Sequence, residues 1–450
     1  MVGREVLLHA MVKTVSIWVA LLAVGCGSTG GASDASSGAG ASNASGVGGE
    51  GGLGSAGASG GSTSGGSAGR PNAAGAGGGC SGSACAGSTP LKVALGTEHG
   101  CAVTSLGGLK CWGRIGPGQL GNGKEDSSTT AVSPVDVTGL SSGVVSVAAG
   151  GHHTCALTQA GGVKCWGENT FGELGDGTTT QRNEPVDVVG LSSGVVELSL
   201  GYHHTCAKLE SGLLRCWGTN RFGELGDGTG TEQGTADAHT PREVPGLGVV
   251  RAFSAGSGAT CAVTEAGSAQ CWGDNVYGRL GDGTQTRRMS PVQVVGLESG
   301  VTQISISGDF ACAVTEQGGA KCWGGNNHGV LGNGSTENSL AVVDVVGLDS
   351  GVALIRAAGH QTCVLTVTGD VKCWGLDEMG AVGTKYVGNQ LTPFQVPGLS
   401  KVSELSSYGA SNCVVVGTPA TIKCWGADGD GELGDGGGGS ERTPKIIPGF

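Results

Sequence analysis

Aromatic residues make up only 4% of this 450-residue chain, and charged residues only 14%. The 25 basic side chains are outnumbered by 37 acidic ones, which gives a net charge of −12. This balance argues against a nucleic-acid partner, because nucleic-acid-binding proteins present a basic face to the phosphates. The chain is instead rich in glycine, with 93 residues, and in cysteine, with 17. So many cysteines are unusual in a reduced cytosolic protein.

The apolar run near the N-terminus is too short to span a membrane. It covers residues 15–24, whereas a transmembrane helix needs about 20 residues. Arg4 and Lys13 precede this run, and Met11 offers a second start. A basic segment followed by a short apolar run is typical of a secretory signal peptide. Cleavage at an ordinary site, or a buried apolar segment, is the alternative.

The run ends in LLAVGC, which resembles the lipobox of bacterial lipoproteins. In that family the cysteine is acylated and becomes the mature N-terminus. The resemblance implies a lipoprotein signal peptide over residues 1–25, a lipid on Cys26 and attachment to the membrane through that lipid. We therefore expect an exported protein anchored to the bacterial cell envelope, with its folded part in the periplasm or at the cell surface.

Residues 26–89 form a low-complexity segment. In the stretch 27–79, 43 of the 53 residues are Gly, Ser or Ala. Such a composition buries too little apolar surface to offset the entropy of ordering the chain. We predict a disordered tether here, followed by a folded domain over residues 90–450.

The folded part is built from seven copies of one unit, each marked by a Cys-Trp pair. The spacing between successive tryptophans is 51 to 55 residues, a period typical of propellers and solenoids. Each unit contains four short β-rich runs separated by turn residues. Four strands in each of seven repeats predict an all-β protein with the fold of a seven-bladed β-propeller. The tryptophans are expected to pack between blades. They are Trp112, Trp166, Trp217, Trp272, Trp323, Trp374 and Trp425.

The cysteines are predicted to form disulfides within hairpins. In CALTQAGGVKC, pairing around Ala160 sets Cys155 opposite Cys165 and Leu157 opposite Val163. Facing residues of a non-hydrogen-bonded pair have Cα atoms about 4.5 Å apart, inside the disulfide window of about 4.4–6.8 Å. Zinc binding fits less well, because zinc sites use closely spaced C-x2-4-C knuckles. The predicted pairs are Cys101–Cys111, Cys155–Cys165, Cys206–Cys216, Cys261–Cys271, Cys312–Cys322, Cys363–Cys373 and Cys413–Cys424, with Cys80–Cys85 outside the repeats.

The repeat, clearest as GHHTCALTQAGGVKCWGENTFGELGDGT, resembles that of the regulator of chromosome condensation family. The resemblance covers about residues 90–450 and implies a seven-bladed propeller. Exchange activity on a nuclear GTPase and chromatin binding are not expected, because this chain is predicted to be exported and is acidic. Secreted bacterial members resemble protein-binding modules, including inhibitors of β-lactamases. We also expect the C-terminal strand, residues 444–450, to complete the first blade and close the ring.

Several motifs suggest metal binding but have simpler structural explanations. Histidines that could meet at one end of the central channel are expected to bond to neighbouring blades. The stretch DGDGELGD, which begins at Asp428, starts like a calcium loop, but Asp428 aligns with an asparagine of the other repeats. We expect no metal and no cofactor. The histidines are His99, His152, His153, His203, His204 and His360.

The predicted function is that of a monomeric, extracytoplasmic binding module for a protein or a glycan. No catalytic motif is present, so an enzyme is not expected. The alternatives are a hydrolase acting on envelope or extracellular glycans, and a guanine-nucleotide exchange factor. One loop position varies in character between repeats and either anchors a partner or packs the loop. Its residues are Phe171, Phe222, Tyr277, His328 and Met379.

Overall fold

The computed structural model describes residues 91–125, 129–230, 236–385 and 388–450. The predicted signal peptide, tether and Cys80–Cys85 pair, together with Cys26, lie outside the described residues. Within those ranges, no helix is both long and apolar enough to cross a membrane. The one helical element in the described ranges is a single 3-10 turn, Val276–Gly278.

The described residues form seven sheets of four strands, each strand hydrogen-bonded to the next along the chain. The all-β, seven-bladed prediction is therefore confirmed. Blade by blade, the strands are Lys92–Leu95 (β1), His99–Val103 (β2), Leu109–Arg114 (β3), Thr130–Asp136 (β4); Val144–Ala149 (β5), His153–Thr158 (β6), Val163–Gly167 (β7), Arg182–Asp187 (β8); Val195–Leu200 (β9), His204–Leu209 (β10), Leu214–Gly218 (β11), Ala238–Glu243 (β12); Val250–Ala255 (β13), Ala259–Thr264 (β14), Ala269–Gly273 (β15), Arg288–Gln293 (β16); Val301–Ile306 (β17), Phe310–Thr315 (β18), Ala320–Gly324 (β19), Ser339–Asp344 (β20); Val352–Ala358 (β21), Gln361–Thr366 (β22), Val371–Gly375 (β23), Gln390–Gln395 (β24); Val402–Tyr408 (β25), Ser411–Val416 (β26), Thr421–Gly426 (β27) and Glu441–Ile446 (β28).

The antiparallel order of the strands gives the propeller two distinct ends. The first strands of neighbouring blades pack against one another around the ring axis, and the fourth strands lie outside. One end carries two connections of every blade: the turn between strands one and two, and the loop between strands three and four. We call this end the loop face. In blade two these are residues 150–152 and 168–181. The opposite end, the hairpin face, carries the turn between strands two and three and the connection to the next blade.

The two middle strands of each blade form the core, and the disulfides join them. Both strands are almost entirely buried; in β6, for example, only the last residue is partly exposed. Cys155 faces Cys165 and Leu157 faces Val163, which confirms the predicted register. All seven hairpin pairs are disulfides in the structure, with Cα–Cα distances of 4.0–4.1 Å.

Each tryptophan joins its blade to the preceding one, as predicted. All seven side chains are fully buried. The indole Nε1–H of Trp217 donates to the carbonyl of Glu173 at 2.8 Å, and that of Trp272 donates to the carbonyl of Glu224 at 2.9 Å. The glycine two residues after that carbonyl must stay small. A Cβ on Gly226 would lie 2.5 Å from Trp272 Nε1.

The expected closure of the ring is wrong. The C-terminal strand β28 pairs with β27 in the seventh blade and not with the first blade, whose four strands β1–β4 are all local. Blades seven and one instead meet through side chains. Trp112 Nε1–H donates to the Glu432 carbonyl at 2.8 Å, and Lys92 pairs with Glu404 at 3.1 Å. Phe450 packs edge-on against Trp112. The same contact that joins any two blades therefore also closes the ring.

Candidate functional site

In blades two to five, the long loop of the loop face is held by one buried asparagine amide. In blade two, the Asn169 side-chain oxygen accepts the backbone N–H of Leu174 at 3.0 Å. Its Nδ2 donates to the carbonyls of Thr178 and Thr180 and to Asp176. This hub explains the fixed spacing of N-x-[FY]-G-x-L-G-D-G-T, since one side chain satisfies backbone groups at both ends of the loop.

The calcium-like stretch in blade seven uses the same hub. Asp428 is 1% exposed, and its carboxylate accepts the N–H groups of Leu433 at 2.9 Å and Gly439 at 3.3 Å. Burial raises the pKa of Asp428 above its ordinary value. The two carboxylate oxygens of Asp428 thus take the place of the asparagine amide. The sequence alignment of Asp428 with the asparagine of the other repeats therefore explains the calcium-like stretch.

Three of the histidines are inter-blade struts. His99, His153 and His204 are almost completely buried, and each Nε2 lies 2.8–2.9 Å from a threonine hydroxyl of the next blade. Each of these hydroxyls donates to a backbone carbonyl of the blade that carries the histidine. The hydroxyl oxygen must therefore accept the imidazole Nε2–H. Among the described residues, the buried Nδ1 of each imidazole has no hydrogen-bond partner, which disfavours a second proton there. Burial, with a smaller effect of a neighbouring histidine, lowers the pKa of His99 and of His204 to about 3.

The other two histidines of blades two and three lie side by side on the loop face. The His152 Nε2 is 3.3 Å from the Tyr202 hydroxyl, and the Tyr202 ring packs edge-on against His203. Glu98 lies 3.7 Å from His152 Nδ1 and accepts a hydrogen bond from Arg114 at 2.8 Å. A partly exposed row of charged and aromatic groups thus crosses three blades.

The row ends at two carboxylates. His203 Nδ1 lies 3.2 Å from the Glu173 carboxylate and 4.0 Å from that of Glu168. The Glu173 side chain is fully buried, whereas that of Glu168 is 24% exposed. The Phe171 ring lies edge-on to His203, with a centroid distance of 5.1 Å.

The variable loop position forms an arc on the same face. Phe171, Phe222 and His328 are partly exposed, Tyr277 is 37% exposed and Met379 is 52% exposed. Each of the first four packs one edge on the next blade: Phe171 on His203, His328 on His360, Phe222 beside Gly258 and Tyr277 beside Gly325. Tyr277 holds a φ of 60°, which is rare for a bulky residue. The rings pack the loops, in agreement with one interpretation of this position, and because they still present surface, the anchoring of a partner stays a prediction.

Blade four carries charges in place of the usual loop residues. Arg279 is 4% exposed, forms a buried ion pair with Asp274 and donates to the carbonyl of Ser257 at 2.9 Å. The Arg287 guanidinium lies over the Phe222 ring, 4.6 Å from its centroid, a cation–π contact. Burial raises the pKa of the nearby Glu224 to about 7.

The sequence analysis missed Tyr202 and Arg279 as members of the face, and it missed the charges around the ring axis. There Glu197 pairs with Lys208 at 2.5 Å. Burial raises the pKa of Glu197 and lowers the pKa of Arg356, and the carboxylates of Glu404 and Glu197 offset the lowering only in part. Comparison of the repeats would have found Tyr202 and Arg356, because most repeats carry glycine and serine, respectively, at those positions.

Comparison with known proteins agrees with this architecture. A family model described as the RCC1-like domain matches residues 46–338, and the remaining blades repeat the same motif. The ultraviolet-B receptor UVR8 of Arabidopsis thaliana is 31% identical over 369 residues, which cover 79% of this chain and 81% of that protein. This chain belongs to the RCC1-like domain family. The mitochondrial RCC1 domain-containing protein RUG3 of the same plant is 31% identical over 347 residues, 73% of this chain and 76% of that protein.

Two solved structures share this fold. Human WBSCR16 superposes with a TM-score of 0.67 at 20% identity, over 76% of this chain and 94% of that one. Prp20p of Saccharomyces cerevisiae superposes with a TM-score of 0.64 at 21% identity, over 78% of this chain and 86% of that one. At these identities the likeness establishes the RCC1-like architecture alone.

Proposed function

We propose that this RCC1-like propeller is an extracytoplasmic binding module, held to a membrane by a lipid on Cys26, that docks a protein partner on its loop face. The observation that carries the proposal is the arc of Phe171, Phe222, Tyr277 and His328 on that face, where each ring is packed on one edge and exposed on the other. Aromatic residues that are held rigidly and partly exposed are the usual anchors of protein interfaces.

The scaffold beneath the arc is rigid, which favours specific binding. Each blade has a disulfide across its two middle strands, and the long loops of blades two to seven are each fixed by an Asn or Asp hub. Little ordering entropy is then lost on association. The loops that follow the hub differ in length and composition between repeats, and variable loops on a fixed scaffold are where binding specificity commonly resides.

Relatives support a protein partner. The yeast Prp20p structure is described together with its binding properties to Gsp1p and histones, and another structure holds yeast RCC1 bound to Kap60. Those partners are properties of the yeast protein. For this chain we infer only the class, a protein, and we propose binding without turnover and therefore no enzyme activity.

The test is co-purification of the full-length protein with envelope and extracellular proteins of its own organism. Phe171→Ser, Phe222→Ser and Tyr277→Ser combined should weaken capture of a specific partner by at least tenfold. The matched control is Val189→Thr, Val295→Thr and Val346→Thr combined on the hairpin face; these valines are 49–58% exposed, and repeat one carries Thr138 at that position. Equal loss in both triple variants, or in neither, would refute docking through the loop face.

The anchor is tested separately. Cys26→Ser should abolish lipid modification, which mass spectrometry of the membrane fraction detects. An unmodified N-terminus in the wild-type protein would contradict the proposed location, whatever the propeller binds.

A further inference from the structure

The junction of blades two and three brings together three potential metal ligands. His203 Nδ1 and one carboxylate oxygen each from Glu168 and Glu173 all lie within 4.8 Å of one another. Ligand bonds of about 2.0–2.2 Å at tetrahedral angles place ligand atoms about 3.3 Å apart. The 3.2 Å between His203 Nδ1 and Glu173 matches this spacing, and the partly exposed Glu168 needs to move inward by about an ångström.

The three groups are oriented by hydrogen bonds and packing to meet at one point. One oxygen of Glu173 accepts the Phe171 N–H at 2.8 Å, so its other oxygen is directed at His203. One oxygen of Glu168 accepts the Thr170 hydroxyl at 3.2 Å, and the other faces the same imidazole. The His203 ring is packed edge-on by Phe171 and Tyr202. Ligands already held by such outer partners are characteristic of metal centres.

The charge of the cluster is not compensated. In the described part of the chain, His203 is the only basic residue within 4.0 Å of either carboxylate. Elsewhere on the face, the carboxylates of Glu98, Asp176 and Asp274 each have an arginine. Two carboxylates, one of them fully buried, lie here without an arginine or lysine partner, and a divalent cation would neutralise both.

The combination occurs once among the seven junctions. The equivalent positions hold Arg114, Gln119 and His152 at the first junction and Thr219, Glu224 and Gly258 at the third. The ligands therefore do not follow from the repeat itself. Glutamate recurs at the Glu173 position and histidine at the His203 position in other repeats, but only this junction adds a glutamate at the Glu168 position.

We propose that Glu168, Glu173 and His203 bind one divalent transition-metal ion of the Zn²⁺ class, with a fourth position open to solvent or to a side chain of a partner. One imidazole and two carboxylates are suitable zinc ligands, and three protein ligands with an open position describe a site that is not purely structural. This inference does not depend on the proposed protein-binding function. It differs from the expectation of no metal made from the sequence, because the three ligands lie in two different repeats.

The test uses the full-length protein without a histidine tag, stripped with a chelator and titrated with Zn²⁺ alone by calorimetry. We expect one equivalent to bind, and Co²⁺ to give the intense ligand-field absorption of a four-coordinate site. His203→Gln and Glu168→Thr should each weaken Zn²⁺ binding by at least about tenfold. Thr is chosen because Thr219 stands at that position in the next repeat.

The matched control is His152→Gln, at the same turn position one blade earlier, where Arg114 and Gln119 replace the two glutamates. It should bind Zn²⁺ as the wild type does. Circular dichroism and thiol counts should show that all three variants fold with their disulfides. The proposal is overturned if the wild type binds no stoichiometric Zn²⁺, if His203→Gln and Glu168→Thr bind normally, or if His152→Gln loses as much affinity as they do.

Discussion

The buried histidine struts should make the propeller sensitive to acid, and glutamine should remove that sensitivity. His99 and His204 each donate Nε2–H to a threonine hydroxyl of the next blade, and among the described residues the buried Nδ1 of each has no acceptor for a second proton. Repeat six already carries Gln361 at this position, where its side-chain amide donates to Asn412 of the next blade at 3.2 Å. His99→Gln and His204→Gln are therefore substitutions that the fold accepts elsewhere in the same chain.

The magnitude follows from the pKa values. Burial lowers the pKa of His99 and of His204 from 6.5 to about 3 in the folded state. Between these values the unfolded chain binds the proton and the folded chain does not, so stability is full above pH 6.5 and falls as the pH drops toward 3. At pH 5 the loss is about 2 kcal/mol per histidine, or about 4 kcal/mol for the pair.

Other groups also titrate in this range, so the comparison with the variant is essential. Burial raises the pKa of Glu224 from 4.5 to about 7, and its contribution has the opposite sign, since stability from this group is lost as the pH rises. Glu224 is present in both proteins, and its effect cancels in the difference.

The assay is urea unfolding without reductant at about pH 7.5 and pH 5. The double variant His99→Gln/His204→Gln should lose less stability than the wild type between the two pH values, by about 4 kcal/mol. Parallel pH dependence of the two proteins would refute the assignment of these imidazoles as neutral struts. So would nuclear magnetic resonance titration curves in which both imidazoles protonate near pH 6.5.

Two further predictions concern the joints within and between blades. Gly226→Ala should destabilise the fold by about 2–4 kcal/mol, because its Cβ meets the next tryptophan and its φ is 70°. Gly190 has a φ of 72°, but no atom lies within 4 Å of where its Cβ would be, so Gly190→Ala should cost only about 1 kcal/mol. Thermal unfolding compares the two variants directly, and equal losses would contradict the steric argument. The double variant Cys155→Ser/Cys165→Ser should lower the free energy of unfolding by about 3 kcal/mol, measured against the wild type without reductant. If the loss is smaller than that of a single exposed surface substitution, this disulfide has no structural role.

The repeat pattern predicted the blades well because most of their constraints are local. The spacing of Cys155 and Cys165 sets the hairpin register, and that register places the two cysteines opposite each other on the two strands of one hairpin. The position of each tryptophan after its second cysteine likewise follows from strand alternation. Ring closure was predicted wrongly, because it depends on contacts between the two ends of the folded chain, such as Lys92 with Glu404, for which the repeat gives no signal.

The candidate site was only partly predictable for a related reason. The arc of Phe171, Phe222 and Tyr277 could be found because one loop position varied visibly. The adjacent histidines could not be separated by sequence alone: His203 and His204 are neighbours in the chain, yet the first lies at the surface and the second is a buried strut. Adjacent side chains of a strand point to opposite faces, so the residue at which the strand begins decides which of the two points into the junction. Sequence patterns define strand ends poorly.

The residues that define the repeat are all occupied by structural tasks, and this decides where function is to be sought. The loop asparagine binds the loop backbone, the tryptophan and the threonine both donate to a carbonyl of the preceding blade, and the cysteines are bonded to each other. These side chains are buried and already bonded within the fold, so they do not form the surface that meets a ligand. A surface that recognises a partner or an ion must therefore be built from departures from the repeat. Glu168 and Tyr202 are such departures, and they lie beside His203 at one junction of the loop face.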